Sequence, residues 1–117
     1  MPELQRFHVG PRLSEMAVHN GTVYLAGQVP DDPGQDIKGQ TAEVLAMVDR
    51  LLAEAGSHKS RILMAQIFLK DIGEIGQMNA VWDAWIPAGH TPPRATVQAA
   101  MANPDYRIEI VVTAALP

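Results

Sequence analysis

At 117 residues the chain has the length of one domain, and its 47% apolar and 19% charged residues suit a globular protein that buries roughly two thirds of its unfolded surface. It has no cysteine, which closes disulfide frames, thiol nucleophiles and thiolate metal sites, and no apolar run approaches a membrane-spanning length. A net charge of -4 with scattered basic residues offers phosphates no general attraction, and residues 1–6 lack a basic-then-apolar signal pattern, so the chain reads as cytoplasmic, binding neither nucleic acid nor membrane.

Leu4 to Val9 reads as a short strand broken by Gly10-Pro11. Two β-prone runs, 16–19 and 22–26, flank Asn20-Gly21, a pair that accepts the positive φ angles of a tight hairpin turn. Gly27-Gln28-Val29-Pro30 closes the second strand, and Asp31-Asp32-Pro33-Gly34 is a loop by composition. Asp36 fits the N-cap of a helix whose Val44, Leu45, Val48, Leu51, Leu52 and Ala55 recur on one face, with Gly56 just past its end. Arg61 to Asp71 reads as a long strand, with Leu63, Ala65, Ile67 and Leu69 on one side and Ile62, Met64, Gln66 and Phe68 on the other. A second helix from about Ile75 carries Met78, Trp82, Trp85 and Ile86 on one stripe until Pro87 stops it, and the two tryptophans read as core. Asn79 falls inside that stripe, where an amide needs a partner from a neighbouring loop or a ligand.

Pro92 and Pro93 then hold the approach to Arg94 stiff and extended and remove backbone donors, so the guanidinium stands where a rigid segment meets a β-prone run. Asn103-Pro104-Asp105 turns the chain into a last strand, in which Ile108, Ile110 and Val112 share one face and Arg107, Glu109, Val111 and Thr113 the other. The element order predicts an α+β domain with two helices on one face of a mainly antiparallel sheet. The other face, with Met64, Phe68 and Val111 beside Gln66, Glu109 and Thr113, is too apolar for open water and too polar for a core, so a second copy of the sheet is expected to cover it.

Read alone, Arg94 fits a structural ion pair or a carboxylate clamp, and Glu109 fits a cross-strand partner of Arg107, an exposed strand residue, or an acid/base. The four histidines, His8, His19, His58 and His90, have no paired helical spacing and read as turn or surface residues rather than metal ligands.

Taken together, Gly10-Pro11, Ala26-Gly27-Gln28-Val29-Pro30, Lys70-Asp71, Met78-Asn79-Ala80-Val81-Trp82, Pro92-Pro93-Arg94-Ala95-Thr96-Val97 and Ile108-Glu109-Ile110 resemble the RidA/YjgF family of reactive intermediate deaminases over nearly the full length. The resemblance implies a chorismate-mutase-like fold, a homotrimer with clefts between subunits, and no cofactor. Its implied activity is hydrolysis of small 2-imino and enamine acids, such as 2-aminoacrylate, to 2-oxo acids and ammonia. By position, Arg94 would bind the substrate carboxylate and Glu109 would handle water and protons. Gly27 would line the pocket by its backbone, Asn79 would be a supporting polar group, and the main chain of Thr96 would approach the imine.

The chain departs from the family's deaminases at three positions: Arg12 stands for an aromatic residue, Ala26 for serine and Thr96 for cysteine. None removes the clamp, and Arg12, if it reaches the cleft, would favour a substrate with a second anionic group. Two other classes fit the same residues: a non-catalytic protein that senses a 2-oxo acid, and a holdase-like protein whose oligomer surface matters more than its cleft.

Overall fold

The computed structural model describes residues 3–117. Its elements run in the predicted order: β1 (Gln5–Val9), β2 (Ser14–His19), β3 (Thr22–Leu25), α1 (Ile37–Ala55), β4 (Ile62–Leu69), α2 (Ile75–Trp85), β5 (Arg94–Gln98) and β6 (Ile108–Ala115). Local chemistry sets several of the boundaries. Asn20 and Gly21 take φ angles of 51° and 75°, closing the β2–β3 hairpin. The Asp36 carboxylate accepts a 2.9 Å hydrogen bond from the Gly39 backbone N–H at the start of α1. At its far end Gly56 adopts φ 85°, and Ser57 N–H donates back to Leu52 O.

The strands form one sheet in the order β1-β2-β3-β6-β4-β5, antiparallel except for β4 and β5. That parallel pair follows from α2, which carries the chain back across the sheet between the two strands. Ala65, Ile67 and Leu69 of β4 and Ile108, Ile110 and Val112 of β6 are buried in the same core as Val44, Leu45, Val48 and Leu52 of α1 and Met78 and Trp82 of α2. Both helices therefore lie on one face, as the patterning requires.

One strand departs from simple alternation. The β4–β6 register shifts between Ile62 and Met64, so Ile62 joins the core while Leu63, expected on the core side, is 48% exposed. The irregularity adds a residue to β4 and turns two successive apolar side chains outward. On the helix-free face Tyr24 (51% exposed), Val97 (48%), Met64, Phe68 and Val111 are left without a cover in the single chain.

A fully buried glutamine ties α1 to the approach to β6. Gln40 Nε2 lies 3.1 Å from the carbonyl oxygens of Pro33, Gln35 and Asp105, and its Oε1 accepts a 2.7 Å bond from Arg107 N–H. The Arg107 guanidinium meets both oxygens of Glu74, each at 3.1 Å, so the expected alternative of an Arg107–Glu109 cross-strand pair is not the one formed. Glu109 is thereby left for other contacts.

Candidate functional site

Arg94 opens β5, the last strand of the sheet. Its Cα partner is Ala65 and that of Thr96 is Ile67, both fully buried, so Arg94 and Thr96 project to the helix-bearing face. There the guanidinium carbon lies 5.2 Å from the ring centroid of Trp82, whose side chain rises from α2 and is 4% exposed. Arg94 makes no hydrogen bond or ion pair with any of the described residues, so the ion-pair alternative finds no partner among them. Trp82 is core, as its spacing implies, and is also the surface on which Arg94 rests. Trp85 is only half buried, and its indole N–H donates to Asp49 at 2.8 Å.

The backbone of β5 adds a second feature. Ala65 N–H bonds to Pro93 O and Ala99 N–H bonds to Leu69 O, which fixes the odd-numbered residues as those facing β4. The backbone groups of Arg94, Thr96 and Gln98 then point to the open rim, beside the guanidinium. Below them, Thr96 Oγ1 and Asn79 Oδ1 are buried without a partner among the described residues. A buried polar atom without a partner is uncommon, so β5 carries unused hydrogen-bonding capacity at Thr96 and α2 carries more at Asn79.

Glu109 belongs to the other face. Its Cα partner is Phe68, and its carboxyl packs on Gly27: a Cβ built at Gly27 would stand 2.9 Å from Glu109 Cδ and nearer still to an oxygen. Absence of a side chain at Gly27 is what admits the carboxyl. The strand–loop segment is held there by a two-way backbone bridge between Gln28 and Ile110, at 2.8 and 3.1 Å. Arg12 lies exposed in the β1–β2 turn, on the Gly27 side of the sheet and away from β5.

The sequence-predicted residues thus fall into separate groups, Arg94 and Thr96 on β5 facing the helices, Asn79 on α2, and Glu109 with Gly27 on the helix-free face. One chain does not bring them together, because the sheet stands between them.

Beside α1, and sharing Gly27, is a cleft of about 600 Å3 lined also by His8, Glu15, Asp31, Arg50 and Glu54. It contains neither Arg94 nor Glu109. His8, expected at a turn or surface, sits within β1 with φ 56°, and its Nε2 meets Glu54 Oε1 at 2.8 Å. That hydrogen bond and the carboxylate charge hold the imidazole pKa above its ordinary value, with a smaller contribution from Glu15.

A sheet of this topology with both helices on one face, an anchored arginine at its parallel edge and a glutamate on its open face is that of a chorismate-mutase-like α+β protein. Comparison with known proteins narrows the class. A family model described as Endoribonuclease L-PSP matches residues 4–116. A RutC family protein of Haemophilus ducreyi is 44% identical over 113 residues, covering 97% of each chain. The RutC family protein YoaB of Escherichia coli is 46% identical over 111 residues, covering 95% of this chain and 96% of its own. The crystal structure of a YjgF family member from Neisseria meningitidis superposes with a TM-score of 0.96 at 47% identity, covering 98% of this chain and 96% of its own. The chain belongs to the RidA/YjgF family, among relatives named RutC proteins.

Proposed function

We propose that the protein is a cofactor-free hydrolase of small 2-imino and enamine acids, working as a homo-oligomer, a trimer by family resemblance, whose clefts each combine the Arg94 end of one copy with the Glu109 face of another. The observation that carries this reading is Arg94: a half-buried guanidinium set against an indole and making no hydrogen bond or ion pair among the described residues. Its fork suits the two oxygens of a carboxylate, which lysine could not match with two parallel bonds. The open-rim N–H of Thr96 and the carboxyl on Gly27 are the further groups a 2-imino acid needs.

In this reading the substrate carboxylate docks on Arg94. An enamine first takes a proton at its β-carbon to become the iminium; a 2-imino acid binds in that form directly. Glu109 accepts a proton from a water as its oxygen adds to the iminium carbon, giving a tetrahedral amino alcohol. The glutamic acid returns that proton to the nitrogen, the C–N bond breaks, and the hydroxyl proton passes to the Glu109 carboxylate as the carbonyl forms and from there to the departing ammonia, leaving ammonium and a 2-oxo acid. A protonated imine is already electrophilic, so positioning supplies most of what the protein must add. This is why two charged side chains and a few backbone groups suffice.

The test generates 2-imino acids in situ with an amino-acid oxidase and follows their loss. The protein accelerates decay, Arg94→Ala lowers the rate by about two orders of magnitude, and Glu109→Gln lowers it comparably. Unfolding and reassembling the two inactive variants together restores part of the activity, because some clefts then receive both native residues. A mixture that assembles but stays silent overturns the division of the cleft between copies. Thermal stabilisation by 2-oxo acids without turnover would instead identify a sensor of such acids.

A further inference from the structure

The Trp82–Arg94 contact is unusual in what it leaves free. A guanidinium offers its face for stacking and its edge for hydrogen bonding, and most buried arginines are held by the edge, through carboxylates or carbonyls. Here the guanidinium makes no hydrogen bond or ion pair among the described residues, and what it rests against is an aromatic ring, with its central carbon 5.2 Å from the Trp82 centroid. The indole is in turn fixed, since Trp82 is buried in the core and its ring lies 5.5 Å from that of Trp85 at a 51° tilt.

Arg94 is fixed at its other end by the extended backbone of β5 and by Ala65 N–H bonding to the preceding Pro93 carbonyl. We propose that Trp82 is the positioning residue of the anion clamp, holding the Arg94 guanidinium against its ring and so leaving hydrogen-bond donors available to a substrate carboxylate. This deepens the reading of Arg94 as a carboxylate-binding residue and rests on it.

A protein carboxylate in the same place would orient Arg94 as well, but it would compete with the ligand for the same donors and cancel the charge. The aromatic face does neither. It also explains why an arginine left without a counter-ion is not simply turned out to water: cation and ring attract across a partly desolvated contact. Asn79 stands one turn before Trp82 on α2, so the helix that supplies the indole also carries a buried Oδ1 without a partner among the described residues.

The chain has two tryptophans, so Trp85→Phe leaves Trp82 as the sole indole and makes it a reporter. In that protein, pyruvate is expected to change the tryptophan emission saturably while methyl pyruvate, lacking the carboxylate, does not. Adding Arg94→Ala abolishes the response. In the imine assay on the otherwise native protein, Trp82→Leu raises KM about tenfold with a smaller change in kcat, and Trp82→Phe falls between native and Leu. A merely structural tryptophan would lower thermal stability in both variants and leave KM of the folded protein unmoved, which overturns the proposal. Pyruvate binding lost in Arg94→Ala but intact in Trp82→Leu removes Trp82 alone. Binding that survives Arg94→Ala removes the clamp reading and this inference with it. Where Trp82→Leu does not fold, the Phe variant and the single-tryptophan titration decide.

Discussion

Replacing Gln40 with alanine tests how the fold holds the start of β6, and with it Glu109. Gln40 is fully buried, its amide nitrogen faces three carbonyls at 3.1 Å, and its carbonyl oxygen takes the Arg107 N–H at 2.7 Å. Truncation removes at least two donated bonds and one accepted bond, each of net value about 1 kcal/mol, and leaves Arg107 N–H and several carbonyls buried around a void. The expected loss is about 3 kcal/mol, or a fall in Tm of about 10 °C for a domain of this size. Gln40→Leu separates the causes: it refills most of the space but restores no hydrogen bond, so it should be no more stable than the alanine variant. Both are measured by urea unfolding at one protein concentration, since assembly would make stability concentration-dependent. A cost below about 0.5 kcal/mol for Gln40→Ala would refute the reasoning, because it would mean that water or local rearrangement satisfies these groups equally well.

Gly27→Ala is expected to separate function from stability. The new Cβ would collide with the end of the flexible Glu109 side chain, which can swing away, so unfolding free energy should change by no more than about 1 kcal/mol while imine turnover falls at least about tenfold. Full activity in that variant would show that the Glu109 carboxyl works elsewhere. The His8 imidazole, whose pKa is raised by its hydrogen bond to Glu54, should titrate above 6.5 by NMR and return towards it in Glu54→Gln. Because the folded pKa is the higher one, the stabilisation from this pair is fully present below pH 6.5 and disappears as pH rises through the folded value. A His8 titration at or below 6.5 in the native protein would remove the pair from solution.

Where structure follows from neighbours within a few residues, the sequence was a reliable guide. Asn20-Gly21, Asp36 and Gly56 each act on backbone within about a turn of themselves, and each boundary stands where those residues place it. Alternation also located Glu109 on the helix-free face and Ile108, Ile110 and Val112 in the core. What alternation cannot carry is an added residue. The shift at Leu63 reverses the expected sides of Ile62 and Leu63, and nothing local to that apolar run marks it. The role of Gln40 is not legible locally because its partners lie up to 67 residues away, although a glutamine one turn after an N-cap and in line with Val44 is buried and must bond something. The approach of Arg94 to the Trp82 ring depends on the parallel register of β4 and β5, which decides which way alternate residues of β5 face. A strand–helix–strand crossover makes that pairing parallel, and combining it with the core spacing of Trp82 was the available route to the contact.

The outward-facing backbone of β5 has a consequence for how copies can meet. An unmatched strand margin invites another strand to lie alongside it, and extending the sheet there would occupy the amide of Thr96 and crowd the guanidinium next to it. Growth by that route would therefore block the anion clamp proposed at Arg94. If that clamp is to work in an assembly, a neighbour docking at this margin has to stop short and leave a notch over residues 94–96, so the same few backbone atoms would bear on both the packing of copies and the room for a small anion.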